Sequence, residues 1–129
     1  MKITADISPG ELIDKITILE IKSERITDSV KLSNVRNELQ LLSEKLRETI
    51  ETSAELDLLI KNLKKINEKL WVIEDNIRDK ERVKVFDDEF IELARSVYFT
   101  NDERAKIKNE INIMLSSTIV EEKSYSSYS

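Results

Sequence analysis

At 129 residues the chain is long enough to bury a core without metal or disulfide staples. Its single glycine and single proline are too few for the turns of an all-β fold. Asp and Glu outnumber Lys and Arg by 26 to 21, an acidic excess that repels nucleic acid and anionic membrane.

The absence of cysteine excludes disulfides and thiol chemistry, and the absence of histidine excludes imidazole bases and most zinc sites. A metal would need oxygen ligands, as Mg²⁺, Mn²⁺ or Ca²⁺ accept; no cofactor is indicated. The N-terminus has no basic segment followed by an apolar run, and the longest apolar run, residues 70–73, is far too short to span a bilayer. The expectation is a cytoplasmic chain without a signal peptide or membrane insertion.

Residues 2–7 alternate, with Ile3, Ala5 and Ile7 on one side, as a short strand would. Ser8, Pro9, Gly10 and Glu11 then mark a helix start: a capping serine, a proline where a missing N–H costs nothing, and a glutamate to complete a capping box. The apolar residues of this first helix (Leu12, Ile13, Ile16, Ile18, Leu19, Ile21) do not fit one narrow stripe, which calls for cover on more than one side. Its seam fails beyond Val30. A new one, Leu32, Val35, Leu39, Leu42 and Leu46, begins about half a turn out of phase, so a break is expected within residues 27–31, with Asp28 or Ser29 as cap.

Thr52, Ser53, Ala54 and Glu55 read as a second capping box. Beyond it Leu56, Leu59, Leu63, Ile66, Leu70, Ile73 and Ile77 recur at alternating steps of three and four, predicting a third helix over residues 54–81. The expectation is an αα-hairpin in which the second and third seams bury each other. One unbroken helix from residue 32 to 81 would instead demand a partner chain. Phe86 and Asp87 open a fourth segment carrying Phe90, Leu93 and Val97. Thr100, Asn101, Asp102 and Glu103 read as a third capping box, starting a fifth helix with Ile107, Ile111 and Met114 inward, although the two segments also fit one helix with a bend. Residues 116–129 form an extended or flexible tail anchored by Ile119, Val120, Tyr125 and Tyr128, which pairing with the N-terminal strand would order. The fold expected is an all-α antiparallel bundle in one domain, residues 1–129, built on a long helical hairpin with short extended termini.

Two polar stripes are the raw material for a site. Asn67, Trp71, Glu74 and Arg78 share one face of the third helix. Their commoner meaning is a packed tryptophan beside a surface ion pair; their sharper meaning is a polar pocket floored by Trp71. Asn101, Arg104, Lys108 and Asn112 form the second stripe, and with Arg95 would bring several cations to one cleft, where planar guanidinium groups grip carboxylate or phosphate. The ordinary alternative is a solvated helix face. Asp14, Lys15, Glu20 and Glu24 would balance those cations or hold Mg²⁺, and Asp87, Asp88 and Glu89 are explained by a cap and a favourable helix dipole. No serine has a base to activate it and no glycine-rich loop cradles phosphate, so the balance tips away from an enzyme.

The strings SPGELIDKITILEIK (8–22), KLSNVR (31–36), LWVIEDNIR (70–78), NDERA (101–105) and VEEKSY (120–125) resemble a family of small bacterial proteins catalogued only as a domain of unknown function. The resemblance covers nearly the whole chain. It implies a single helical domain, sometimes encoded near or fused to sugar-transfer machinery, and so a role around cell-surface polysaccharide assembly. It also draws attention to Asp14, Lys15, Glu74, Asp75, Arg78, Arg104 and the tail residues Glu121, Glu122 and Lys123. The leading functional expectation is an interaction module that self-associates or docks a protein through the third-helix seam or its neighbouring stripe. The alternative is a small-molecule site or enzyme for an anionic metabolite such as a nucleotide-sugar, with Arg78, Arg95, Arg104 and Lys108 on the anion and Glu74 or Asp14 as base or metal ligand.

Overall fold

The computed structural model describes residues 1–128; Ser129, the last residue of the expected tail, lies outside the described residues. Four helices, α1 (Pro9–Arg25), α2 (Ser29–Thr49), α3 (Ala54–Arg82) and α4 (Asp88–Met114), take up nearly three-quarters of the chain, and no strand occurs among the described residues. Each helix starts where a short polar side chain satisfies an otherwise orphaned N–H. Ser8 Oγ accepts from the Glu11 amide at 3.2 Å, Asp28 from Lys31 at 2.9 Å, Ser53 from Leu56 at 3.1 Å and Asp87 from Phe90 at 3.0 Å. Two details differ from the capping boxes read in the sequence. Ser53, one residue after Thr52, caps α3. Glu11 directs its carboxylate to Lys108 and Lys15.

The chain past Phe86 is one helix. Thr100 caps nothing: it lies inside α4 and is 1% exposed. No glycine or proline interrupts this stretch, so a capping box is overridden once its threonine has a place in the core. Five of the six apolar residues of α1 named above are buried, on more than one side as their spacing requires: α1 packs against α2, α3 and α4. The cluster of Ile13, Leu56, Leu63 and Ile111, all at most 1% exposed, is the centre of the core. Each such side chain contributes roughly 1.5–3 kcal/mol of transfer free energy.

The seams of α2 and α3 do not bury each other. α2 lies along α1 and its backbone does not run close beside α3 or α4, while α3 packs along α4. The apolar surface of α1 explains the choice, because it needs a cover on the side that α3 and α4 leave open. Leu46 and Ile50, at the end of α2, join the cluster that holds Ile13 from the start of α1, so those two helices run antiparallel. Ile111 and Leu115 meet Leu56 in the same cluster, which sets α4 antiparallel to α3. Gly10 against Asn112, Glu11 against Lys108 and Asp14 against Arg104 set α4 antiparallel to α1 as well.

Both termini are extended. Residues 1–7 are exposed and form no strand, so the expected N-terminal strand and its pairing with the tail are absent. The tail folds back along α4: Glu121 meets Lys108 at 3.0 Å, and Tyr128 bonds Asp102 and packs on Tyr98 and Phe99. Of the four expected anchors only Tyr128 has this role. Tyr125 is 84% and Val120 62% exposed, since a charged residue, Glu121, holds the segment.

Candidate functional site

Gly10, Asp14 and Thr17 recur on α1 at steps of four and three, and so share the face turned toward α3 and α4. The side chain of Asp14 is only 1% exposed. A carboxylate there requires partners, and it has them. Arg104 of α4 grips it with two parallel bonds, Nε to Oδ1 at 2.9 Å and a terminal nitrogen to Oδ2 at 2.5 Å. Asn67 of α3 adds a bond from Nδ2 to Oδ1 at 3.0 Å and a second to Thr17 Oγ1 at 2.9 Å. The Thr17 hydroxyl in turn donates to the Asp14 carbonyl at 2.8 Å. One buried acid thus ties three helices together.

A second ion cluster lies one turn away. Lys108 donates to Glu11 at 2.8 Å, is 3.0 Å from Glu121 of the tail, and stands 4.0 Å from Asp14. Beyond it Asn112 Oδ1 accepts from the Gly10 amide at 2.7 Å. Gly10 is required by closeness: a Cβ there would sit 2.5 Å from the Lys108 carbonyl oxygen.

These pairings set the electrostatics. Burial by itself pushes the Asp14 carboxyl up, but the bonds from Arg104 and Asn67 and the charges of Arg104 and Lys108 outweigh it and hold the group below its ordinary value. The bond to Asp14 raises the Arg104 guanidinium. Burial lowers Lys108, and its bonds to Glu11 and Glu121 more than reverse that. A carboxylate accepting three N–H bonds and held low is a weak base, so Asp14 is built for structure rather than proton transfer.

Next to this knot lies an open groove of about 390 Å³ between α1, α3 and α4. Trp71, half-buried, lines it together with Ile18 and Leu70; Asn67, Asn101 and Arg104 border the groove on the side of the knot, and Glu74 and Asp75 lie further along α3. Asn101 also accepts from Arg104 at 3.4 Å. The two polar stripes therefore meet at one cleft through Asn67, Trp71, Glu74, Asn101 and Arg104.

The other expected cations do not converge there. Arg78 is 78% exposed and pairs with Glu74 at 3.2 Å. Arg95 lies over Phe99 and bonds Tyr98, and Lys15 is half in solvent beside Glu11. Lys108 belongs to the second cluster. Glu20 and Glu24, considered as magnesium ligands beside Asp14, instead hold Lys64 at 3.4 and 2.6 Å. Among the described residues no three acidic side chains converge to hold a metal. Thr17, Glu11 and the amide of Gly10 join the site beyond the residues expected from the sequence; a polar residue at every third or fourth place of an otherwise greasy helix is the signal for Thr17.

Fold and site define an all-helical bundle pinned by a buried aspartate, arginine and asparagine beside an aromatic groove. The chain belongs to a family of unknown function, DUF6165, whose profile matches residues 1–128. No curated protein and no solved structure matches it. No helix among the described residues is long and apolar enough to cross a membrane.

Proposed function

We propose that this chain is a helical interaction module that self-associates through α2. The observation that carries this reading is that α2, 21 residues long with a regular leucine-rich seam, has no buried residue. Leu32, Val35, Leu39, Leu42 and Leu46 are all left half-covered, although α2 lies along α1 and the end of α2 reaches the core cluster through Leu46. The chain exposes 9354 Å², against about 7,000 Å² for a typical folded monomer of its 15.0 kDa. The extended ends supply part of that surplus and the open flanks of α2 another part. A standard interface takes about 800 Å² from each partner.

In this reading the protein works in the cytoplasm as an adaptor near cell-surface polysaccharide assembly, the role that its sequence resemblance implies. The anionic-metabolite reading is not favoured, because Arg104 and Lys108 are already neutralised and Arg78 and Arg95 point elsewhere. Light scattering at micromolar concentration tests the proposal, together with thermal unfolding over a range of protein concentrations. A dimer mass and a Tm that rises with concentration are expected. A monomer mass with a concentration-independent Tm overturns it.

A further inference from the structure

The groove beside Trp71 retains groups that the fold does not use. Asn67 is 5% exposed and commits its Nδ2 donors to Asp14 and Thr17, while nothing in the described chain donates to its Oδ1. No fully enclosed side-chain oxygen among the described residues lacks a partner, so this Oδ1 keeps some exposure, and Asn67 lines the groove. Among the described residues the Asp75 side chain has no ion pair or hydrogen bond, and the Glu74 carboxylate is held only by Arg78, which is itself mostly in solvent. The indole of Trp71 carries no cation: the two cation–π contacts among the described residues are Arg95 on Phe99 and Lys123 on Tyr125. Arg104, the cation that borders the groove, is matched by Asp14.

What remains is an aromatic and aliphatic floor, two carboxylates at one end and an unfilled amide carbonyl at the other. An anion would meet Glu74 and Asp75 head on. A cation on an apolar stem meets complementary chemistry along the whole groove. We propose that this groove binds a small organic cation of extended form, an ammonium or guanidinium on an aliphatic stem. Its charged head lies against Asp75 and Glu74, its stem crosses Trp71, Leu70 and Ile18, and a donor at its far end fills Asn67 Oδ1. Asn67 and Asp75 are eight residues apart, ~12 Å along α3, which sets the length of the ligand. A volume of about 390 Å³ suits a molecule of that size. α2 takes no part in the groove, so this proposal and self-association stand or fall separately.

Trp71 is the sole tryptophan, so its emission, excited selectively over the three tyrosines, reports on the groove. The probes are spermidine, a blocked Lys-Leu-Lys tripeptide, neutral 1,8-octanediol and glutarate, each titrated into the intact chain. Saturable change with spermidine is expected, with little from the diol and none from glutarate. Saturation by the tripeptide in place of spermidine also supports the proposal and assigns the cation to a partner protein's side chain. Asp75→Asn, an exposed substitution whose folding circular dichroism verifies, should weaken cation binding about tenfold or more. No saturable response to either cation overturns the proposal, as does equal binding of the diol or glutarate, or unchanged affinity in Asp75→Asn.

Discussion

Arg104→Ala removes the fork that neutralises Asp14, and the two partners differ in a way that fixes the outcome. The Asp14 side chain is 1% exposed and that of Arg104 28%. Without the arginine, a carboxylate stays enclosed with Asn67 at 3.0 Å and a distant Lys108 as its only help. Removing one member of a buried pair costs about 3–5 kcal/mol. Access of water through the space the arginine leaves favours the lower end, about 3 kcal/mol. Asp14→Asn keeps the shape and leaves its unmatched charge on the partner that already touches solvent, so it should cost less, about 1–2 kcal/mol. The double variant should show a coupling of about 1–3 kcal/mol, as contacting partners do. Urea unfolding followed by far-UV circular dichroism measures all three against wild type. For a domain with about 5–15 kcal/mol in total, these are large fractions. A loss below about 1 kcal/mol for Arg104→Ala, or a greater loss for Asp14→Asn than for Arg104→Ala, would refute the reasoning.

Three further outcomes follow from the same geometry. The Asp14 carboxyl is held below its unfolded value of 3.8, so its stabilisation is present above that pH and fades as pH falls through the lower folded value. The stability gap between wild type and Asp14→Asn should be constant near neutrality and shrink only below about pH 4, as urea titrations across pH can check. Gly10→Ala should destabilise by about 1–3 kcal/mol despite alanine's helix preference of ~1 kcal/mol, because the new Cβ meets the Lys108 carbonyl, which is backbone and cannot move aside. Leu63→Ala, at a side chain with no exposure, should cost about 3–5 kcal/mol, whereas Leu58→Ala, at one 59% exposed, should stay within about 0.5 kcal/mol on chemical denaturation.

What could be read from the sequence was local chemistry. Ser8, Asp28 and Asp87 announce helix starts because a cap needs only the three residues that follow it, and the period of Leu56 to Ile77 fixes α3 within a residue or so. Pairing was another matter. The seams of α2 and α3 match in period, yet α2 lies on α1, because the two-sided apolar surface of α1 leaves a demand that α3 and α4 do not fill. Thr100 shows the same precedence of burial over local preference. Within the site, Asp14, Trp71, Glu74, Asp75, Asn101 and Arg104 were legible as polar or aromatic positions on helix faces. That Asp14 and Arg104 form one pair across 90 residues was not, nor that Arg78 and Arg95 face away. A periodicity gives the angle of a side chain on its own helix and says nothing about which helix lies opposite.

The central functional claim is that a second copy completes the face of α2, and amide hydrogen exchange on the intact chain at low and high concentration tests it most directly. Amides of α2 across Leu32, Leu39 and Leu46, which open locally in a single copy, should slow most as concentration rises, while those of α1, already enclosed by three helices, slow only by the gain in global stability. Protection of α2 that is the same at every concentration would contradict the account.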